Sequence, residues 1–358
     1  MPSHHDVSII GGGAIGMTSA LELANRGHKV CLIEKNHLGQ GSSWAGAGLL
    51  VCTSKQPSHV AQLMLRSVSL YGHLCPKLKK ETGIDPELYE SGLLCFERAL
   101  MAVEASDWPV ETFSEAAFER RFPLLTPLKS QAVFYPKLMQ VRNPRLVKAL
   151  HTALLQHPNV TVSEHETVLS FSTQAGRINA IQTNKGKRSA GEIVVTAGAW
   201  SSLLLKELGF KGEIFPIRGQ LLAFDYGQAV NIPIVYGERH YLVPRQDGII
   251  LAGTTMENVG YDEVPTEAAF HELKAAAFEM MPSLEKTPLI SQWSGLRPAI
   301  HHETPYIGRV QSYENLWINS GHFRNGLVLA PASAELVADL METKTPSVAW
   351  PLTITHPF

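Results

Sequence analysis

Apolar and polar positions in the first 34 residues alternate between strand-like and helix-like patterns. Residues 7–10 form a short apolar run, residues 14–26 carry apolar side chains at helical spacing, and a second apolar run ends at Glu34. The glycine-rich residues 11–16 separate the first run from the helix. This order predicts a βαβ unit with a tight turn between its first strand and its helix.

The rest of the chain contains many strand patterns and a few helices. Residues 213–290 alternate like antiparallel strands with a hairpin turn at 246–248, whereas the apolar run 192–195 leads to Gly198 and predicts a return to a parallel sheet. Asn143 before Pro144 predicts a helix start with Asn143 as its N-cap. We predict further strands at 88–96, 132–135, 160–162, 166–171, 178–183 and 317–319, and helices at 59–80, 114–121, 145–156, 267–280 and 326–341.

Three glycines of the first turn have the spacing of a dinucleotide-binding fingerprint. Gly11 permits the sharp turn, Gly13 lets the backbone approach a pyrophosphate, and Gly16 lets the helix pack closely on the strand. Glu34, at the end of the next strand, is placed to accept hydrogen bonds from ribose hydroxyls. A purely structural turn is the alternative. These residues do not separate NAD from FAD, because both cofactors contain the adenosine diphosphate half.

A second glycine-rich segment, residues 41–49, begins seven residues after Glu34. Its small side chains and free backbone N–H groups suit a pyrophosphate and an isoalloxazine ring. The alternative is a surface loop, but Trp44 and Leu49 are poor choices for a solvated linker. We therefore predict cofactor contacts from Ser42, Ser43, Ala47, Gly48 and Leu49.

Composition and charge narrow the classes of partner. With 358 residues, 44% of them hydrophobic, the chain can form two domains or one elaborated domain. Its 31 basic and 33 acidic residues give a formal charge of −2, without the basic excess that nucleic-acid binding requires. No segment approaches the ~20 apolar residues that span a bilayer, and residues 1–6 carry no basic leader. We expect a cytoplasmic protein with no nucleic-acid partner and no membrane span.

Cysteine and histidine patterns indicate neither a disulfide framework nor a metal site. The four cysteines are separated by 21, 23 and 20 residues, without a C-x-x-C pair, so we expect reduced thiols. The adjacent histidine pairs at 4–5 and 301–302 point to opposite faces of a strand and lack Glu or Cys partners at ligand spacing. We therefore predict no metal.

The motifs above, with segments in the second half of the chain, resemble the family of FAD enzymes that contains the glycine oxidases and the D-amino acid oxidases. The matching segments span nearly the whole chain: 11–16, Glu34, 42–49, 194–201, Gly295-Leu296-Arg297-Pro298 and 321–331. The resemblance implies an α/β protein with a discontinuous Rossmann-like FAD-binding domain and a substrate domain of an antiparallel β-sheet plus helices, as in D-amino acid oxidase. It assigns residues 1–86, 141–212 and 291–358 to the first domain, and residues 87–140 and 213–290 to the second.

The resemblance also implies how FAD is held. Related sarcosine oxidases attach FAD through a cysteine in the C-terminal half, but the last cysteine here is Cys95, so we expect noncovalent FAD. The N-terminus of the helix 326–341 is expected to direct its positive dipole end at the O2 edge of the flavin. The further cofactor contacts that the resemblance implies are Ala14, Ile15, Lys35, Val168, Gly198, His322, Phe323, Asn325, Gly326, Leu327 and Val328.

Candidate substrate contacts are two arginines, a tyrosine and a methionine. A guanidinium suits a substrate carboxylate because its planar fork makes two parallel hydrogen bonds, and the resemblance gives this role to Arg297, with Arg324 as a second candidate. Alternatively, backbone carbonyls or a buried acid satisfy these arginines. Tyr241 is either a second carboxylate donor or an ordinary core tyrosine. Met256 either forms the pocket wall or fills the core.

The implied activity is oxidative deamination of glycine, small D-amino acids or N-methylglycine. A hydride passes from the substrate α-carbon to flavin N5, the imino acid hydrolyses to a 2-oxo acid and ammonia, and molecular oxygen becomes hydrogen peroxide. No side chain is assigned as a catalytic acid or base, because the protein's contribution is orientation. The length and the C-terminal pattern are most similar to family members of bacterial thiazole biosynthesis, which implies a role in making thiamine. The family also implies a homo-oligomer.

Three other functions remain open at this point. A dehydrogenase with the same site would pass electrons to a quinone or another carrier. The lack of an exposed apolar anchor in the sequence disfavours a membrane quinone. A flavin-binding maturation or assembly partner would bind FAD without oxidising an amine. A domain that modifies tRNA bases is disfavoured by the near-neutral charge.

Overall fold

The structure is a computed structural model that describes residues 5–51, 58–95, 109–127, 132–189, 191–237 and 239–350. Its strands are β1 Val7–Ile10, β2 Val30–Ile33, β3 Leu49–Leu50, β4 Tyr89–Glu90, β5 Leu93–Cys95, β6 Glu111–Thr112, β7 Val133–Tyr135, β8 Met139–Gln140, β9 Val160–Ser163, β10 Val168–Gln174, β11 Arg177–Thr183, β12 Gly186–Ser189, β13 Glu192–Val195, β14 Phe215–Asp225, β15 Ile234–Tyr236, β16 Tyr241–Pro244, β17 Ile249–Gly253, β18 Leu289–Ala299, β19 Tyr306–Arg309 and β20 Leu316–Ser320. Its α-helices are α1 Ala14–Asn25, α2 Ser42–Ala45, α3 His59–Thr82, α4 Glu115–Arg121, α5 Asn143–Gln156, α6 Ser201–Leu205, α7 Glu267–Met280 and α8 Gly326–Met341.

A six-stranded sheet with the order β19-β20-β13-β1-β2-β9 forms the first layer. All its pairs are parallel except β19 with β20. Successive side chains of a strand point to opposite faces, so Ile9 packs with α1, α3, α5 and α8, whereas Ile10 packs against β10 and β11. Both faces are therefore buried, as expected of a parallel sheet.

An eight-stranded sheet with the order β18-β14-β17-β16-β15-β5-β7-β6 forms the second layer. Phe224 of this sheet packs with Phe118 of α4 and Leu273 of α7 in one core cluster. A separate cluster joins Tyr241 of the sheet to Ala47, beyond α2. The sheet therefore lies between the helices α4 and α7 and the glycine-rich segment 41–49.

The eight-stranded sheet differs from the expected pattern in one strand pairing, and it extends past one predicted domain bound. It is not purely antiparallel, because β5 and β15 pair in parallel, through Leu94 and Val235 among others. Residues 291–299, assigned to the first domain, lie in β18 and pair with β14 along most of its length. Strand hydrogen bonding therefore places these residues in the second layer. The bounds of the two domains stay predictions.

Most predicted helices and strands are present. Helices α7 and α8 have the predicted bounds, and α3 continues to Thr82, where Gly83 ends it at a φ of 73°. Helix α5 begins at Asn143, one residue before the predicted first position, and the Asn143 side chain donates a hydrogen bond to the Ser43 carbonyl instead of capping the helix. The short helix α2 was not predicted within the glycine-rich segment 41–49. The predicted strand at 88–96 corresponds to β4 and β5, and its last residue lies outside the described ranges.

Candidate active site

A cavity of about 1130 Å³ lies where the two sheets meet. Its walls come from the turn between β1 and α1, from the segment 41–49, from the eight-stranded sheet and from the start of α8. The turn and the residues after β2 and β13 follow the carboxyl ends of parallel strands, where α/β proteins bind ligands.

Glycines bring the turn between β1 and α1 close to its neighbours. Gly11 has a φ of +111°, and a Cβ there would lie 2.6 Å from the Thr196 carbonyl oxygen. A Cβ at Gly16 would lie 1.9 Å from the Gly11 oxygen, so Gly16 lets α1 pack on the turn. Gly13 occupies the N-cap position of α1 without a capping side chain. The helix N-terminus is therefore available to an anionic ligand.

The Glu34 carboxylate already accepts two backbone hydrogen bonds. The Gly12 N–H donates to one oxygen at 2.7 Å, and the Asn36 N–H donates to the other at 2.8 Å. These contacts fix the carboxylate at the cavity wall. A carboxylate has about four acceptor positions, so capacity for hydroxyl donors remains.

Short contacts hold the segment 41–49 against α1 and α5. The Ser43 hydroxyl accepts a hydrogen bond from the Ala14 N–H at 2.8 Å, and Asn143 donates to the Ser43 carbonyl at 3.1 Å. Gly48 has a φ of +75°, and a Cβ there would lie 1.8 Å from the Val141 carbonyl oxygen. The segment is therefore packed structure rather than a solvated linker, although Trp44 remains 45% exposed.

Arg245, which the sequence analysis did not single out, anchors the same segment from the eight-stranded sheet. Its guanidinium is buried and donates to the Ala47 carbonyl at 2.8 Å and to the Gln140 side chain at 2.6 Å. Burial lowers the pKa of Arg245 to about 10. At neutral pH the Arg245 guanidinium therefore remains charged, and the oxygens that accept its hydrogen bonds are neutral.

Lys35 and Trp200 line the cavity beyond β13, and Tyr261, which does not line it, packs against Trp200. The Lys35 ammonium lies 3.4 Å from the centre of the Trp200 ring, and burial lowers the Lys35 pKa. The Tyr261 ring lies 5.6 Å from the Trp200 ring, and the Tyr261 hydroxyl donates to the Ala199 carbonyl at 3.0 Å. The loop after β17 therefore reaches the first layer at this point.

Arg297 extends from β18 to the cavity and is held by neutral oxygens. It donates to the Thr254 hydroxyl at 2.6 Å and to the Thr255 carbonyl at 3.2 Å. No ion pair joins Arg297 to an Asp or Glu in the part of the chain that the structure describes. Burial lowers its pKa, the nearby Tyr241 opposes this effect, and the positive charge of Arg324 lowers the pKa further. The Arg297 guanidinium therefore lines the cavity without a protein carboxylate.

The other three candidate substrate contacts also line the cavity. Tyr241 is buried against Gly253, where a Cβ would lie 2.9 Å from the Tyr241 hydroxyl, and burial raises the Tyr241 pKa. Met256 is 56% exposed, so it is not core filling. Arg324 is exposed, and its guanidinium carbon lies 5.5 Å from the centre of the Phe323 ring.

Three buried polar atoms of the cavity lining have no partner within the described residues. They are His322 Nε2, Asn143 Oδ1 and Asn319 Oδ1. Burial lowers the pKa of His322 to about 3, so its imidazole is neutral at physiological pH. A ligand with polar atoms can supply the missing hydrogen bonds. Together with the glycine turn and Glu34, these atoms fit a dinucleotide such as FAD.

The cavity brings together every predicted site residue except Gly16, which lies behind the turn. The lining contains the predicted cofactor residues Gly11, Gly13, Ala14, Ile15, Glu34, Lys35, Ser42, Ser43, Ala47, Gly48, Leu49, Val168, Gly198, His322, Phe323, Asn325, Gly326, Leu327 and Val328. Sequence reasoning missed the further lining residues Asn143, Thr196, Trp200, Tyr236, Arg239, Thr254 and Glu263 as contacts. Thr196 and Trp200 follow the carboxyl end of β13, a position that the topology of parallel sheets could have indicated.

Two further predictions concern metals and membranes. Among the described residues, no group of three or more His, Cys, Asp or Glu side chains is arranged to hold a metal ion. His301 instead approaches Glu213 at 2.7 Å, whereas His4 and Cys52 lie outside the described ranges. No described helix has the length and apolar character of a membrane span.

Comparison with known proteins identifies the family. Residues 6–340 match the family of FAD-dependent oxidoreductases. The chain is 38% identical to a glycine oxidase of Pseudomonas putida, an alignment that covers 96% of each chain. It is 32% identical to the bifunctional protein ThiO/ThiG of Nostoc, over 94% of this chain and 52% of that one. The crystal structure of glycine oxidase from Geobacillus kaustophilus matches with a TM-score of 0.89 at 28% identity, over 96% of each chain.

These matches confirm the predicted fold class, a Rossmann-like layer combined with a sheet-and-helix layer as in D-amino acid oxidase. They also agree with the cavity, whose glycine turn and unpartnered polar atoms fit the family's cofactor. The chain therefore belongs to the family of FAD-dependent oxidoreductases, and its cofactor is FAD.

Proposed function

We propose that this protein oxidises glycine, and also N-methylglycine or small D-amino acids, with molecular oxygen as the electron acceptor. For glycine, the products are glyoxylate, ammonia and hydrogen peroxide, and one water is consumed when the imino acid hydrolyses. The observation that carries the proposal is the Arg297 guanidinium, which lines the FAD-sized cavity and is held only by neutral oxygens in the described residues. A substrate carboxylate would complete its charge pairing.

The side chains around Arg297 bind and orient the substrate. Arg297 offers a planar fork that fixes a carboxylate in two directions, which a point charge cannot do. Tyr241, protonated because burial raises its pKa, supplies a second donor, and Met256 and Arg324 bound the space around the substrate. When bound in the cavity, FAD would supply the acceptor for a hydride from the substrate α-carbon. Orientation of the α-carbon is the contribution that we assign to the protein.

The cofactor is proposed to contact the lining residues predicted from the sequence. The N-terminus of α1 and the turn around Gly13 would hold the pyrophosphate, and Glu34 would accept ribose hydroxyls. His322 and the N-terminus of α8 would face the flavin, where the positive end of the helix dipole favours negative charge. Noncovalent attachment, a homo-oligomeric state and a cytoplasmic location stay predictions.

A role in thiamine biosynthesis is part of the proposal. The support is the similarity to the protein named ThiO/ThiG, of which this chain matches about half. Glycine is the substrate that the curated relatives' names indicate, since several of them are glycine oxidases.

Anaerobic titration of the purified holoenzyme tests the activity. Glycine, N-methylglycine and a panel of D-amino acids are added in turn while the visible absorbance of the flavin is recorded, and air is then admitted. We expect glycine to bleach the flavin and oxygen to restore its colour rapidly. The size of the effect for each amine ranks the substrates in one experiment.

The other outcomes would contradict the proposal in different ways. Bleaching without rapid recovery in air would indicate a dehydrogenase that uses another acceptor. Bound FAD that no amine bleaches would indicate a flavin-binding assembly partner.

A further inference from the structure

The middle of β14 presents different residues to the two faces of its sheet. Arg218 and Gln220 point to one face and are buried. Gly219 lies between them and faces Arg297, because side chains alternate along a strand. A Cβ at Gly219 would lie 2.1 Å from both terminal nitrogens of Arg297. The Arg297 guanidinium therefore occupies the space that a side chain at position 219 would need.

Glu257 joins the two buried side chains on the opposite face. One of its oxygens accepts a hydrogen bond from Arg218 at 2.7 Å. The other accepts from the Gln220 amide at 2.8 Å and from the Thr255 hydroxyl at 2.5 Å. The Gln220 N–H in turn donates to the Thr255 hydroxyl at 3.0 Å. The loop after β17 is thus fixed to β14 beside Gly219.

The same loop supplies the hydrogen-bond acceptors of Arg297. The Thr254 hydroxyl accepts from one terminal nitrogen, and the Thr255 carbonyl accepts from the other. A long arginine side chain has several rotatable bonds, and holding it still has a cost in conformational entropy. Two fixed acceptors and a fitted space on β14 therefore define one orientation of the guanidinium before any ligand binds.

We propose that Gly219 and Glu257 are positioning residues for the Arg297 guanidinium: Gly219 leaves its space, and Glu257 fixes Thr255, whose carbonyl accepts one hydrogen bond from Arg297 and whose chain neighbour Thr254 accepts the other. Neither residue lines the cavity, so each acts through Arg297 rather than on a ligand. The inference rests on the proposed role of Arg297 in carboxylate binding. The affinity of the cavity for carboxylates then depends on Gly219 and Glu257, which do not line it.

The first test is Gly219→Ala in the holoenzyme. The new methyl group would displace the end of a flexible side chain and not the backbone, so we expect the variant to fold and to keep its FAD. The probe is acetate, a carboxylate that is not oxidised, and its binding is followed through the change that it causes in the flavin spectrum. We expect the acetate dissociation constant to rise about tenfold or more, because charge-assisted hydrogen bonds are lost. The matched control is Gly72→Ala, where an added Cβ meets open space.

The second test is Glu257→Gln, which keeps the size of the side chain but removes its charge and one acceptor. We expect weaker acetate binding and a higher KM for glycine, with a smaller change in kcat. Glu285→Gln, an exposed change in the same layer, serves as the control. If Gly219→Ala fails to retain FAD, the acetate affinity of Glu257→Gln tests the positioning of Arg297 instead.

A double-mutant cycle with Arg297→Lys separates positioning from a general structural effect. If Gly219 acts through the guanidinium, Gly219→Ala should weaken acetate binding in the wild-type background and have little further effect in Arg297→Lys. Equal effects in both backgrounds would overturn the inference. Unchanged acetate affinity in a folded, FAD-containing Gly219→Ala or Glu257→Gln would also overturn it.

Failure of the proposed function would look different. A wild-type flavin that glycine does not bleach would contradict the oxidase activity. The acetate titrations would still report on whether Gly219 and Glu257 position Arg297. If acetate does not bind to the wild-type holoenzyme, the carboxylate role of Arg297 and the positioning inference are both contradicted.

Discussion

His322 is a buried imidazole whose Nε2 has no protein partner within the described residues, and this gives it an unusual titration. Its folded-state pKa is about 3, whereas an unperturbed histidine has a pKa of 6.5. As the pH falls below 6.5, the unfolded chain takes up a proton that the folded protein does not. The unfolded state then binds more protons, so the free energy of unfolding decreases between about pH 6.5 and pH 3.

We therefore predict that between about pH 6.5 and pH 3 the free energy of unfolding falls less steeply in His322→Gln than in the wild type. In the middle of this window, the His322 contribution approaches a slope of about 1.4 kcal/mol per pH unit. Chemical unfolding of wild type and variant at several pH values measures the difference in slope. Carboxylates such as Glu166, whose pKa is lowered to about 2, titrate in both proteins. Their contribution to the slope is therefore the same in both and does not affect the difference. Parallel curves for the two proteins would contradict the neutral, buried state of His322.

Tyr241 allows a second prediction for a single residue. Tyr241→Phe removes the hydroxyl but keeps the ring against Gly253, so the fold and the FAD content should stay unchanged. One hydrogen bond to a carboxylate would be lost, and we expect KM for glycine to rise about two- to tenfold. Steady-state kinetics with glycine measures this, with Tyr313→Phe, which lies away from the cavity, as the control. An unchanged KM would remove Tyr241 from the substrate site.

Single residues differ in how well the sequence predicted them. Arg297 could be named because it lies in a motif of a recognisable family, and Tyr241 because it lies on a predicted strand and its hydroxyl can donate to a carboxylate. Arg245 and Glu257 could not, because their roles depend on partners from other segments, such as Ala47, which is 198 positions from Arg245. Such contacts have no local pattern in the sequence.

Helix α1 tests the cofactor assignment at the scale of one element. In Gly13→Val, the larger side chain would block the approach of a pyrophosphate to the helix N-terminus and would crowd the Ser43 hydroxyl, 3.1 Å from the first added carbon. We expect the purified variant to lack FAD, as measured by flavin absorbance per protein. Gly72→Val, on the exposed side of α3, should keep full flavin occupancy. Full occupancy in Gly13→Val would mean that the turn has only a structural role.

Elements with a regular local pattern were predicted well, and pairings between distant segments were not. The bounds of α7 and α8 follow from helical spacing and agree with the structure. The parallel pairing of β5 with β15 joins segments that are about 140 residues apart and are three residues long each. Strands this short carry too few alternating positions to reveal a partner, and the extension of β18 beyond residue 291 depends on its pairing with β14.

At the scale of the whole molecule, Arg245 joins the eight-stranded sheet to the segment that faces the cofactor. We predict that Arg245→Met weakens FAD binding, because the carbonyl of Ala47 loses its donor and the segment 41–49 becomes less constrained. The expected rise in the FAD dissociation constant is about tenfold, measured by titration of the apoprotein. Arg309→Met, an exposed change in β19, is the control. An unchanged dissociation constant would show that this link is not needed for the cofactor.

We propose above that the Arg297 guanidinium binds the carboxylate of an amino acid beside FAD. The most direct test is rapid anaerobic reduction of the flavin by glycine in the wild type and in Arg297→Lys, at increasing glycine concentrations. We expect equal FAD content and an apparent glycine dissociation constant that is about 100-fold higher in the variant, because an ammonium cannot reproduce the planar two-point contact. The same dissociation constant in both proteins would contradict this proposal.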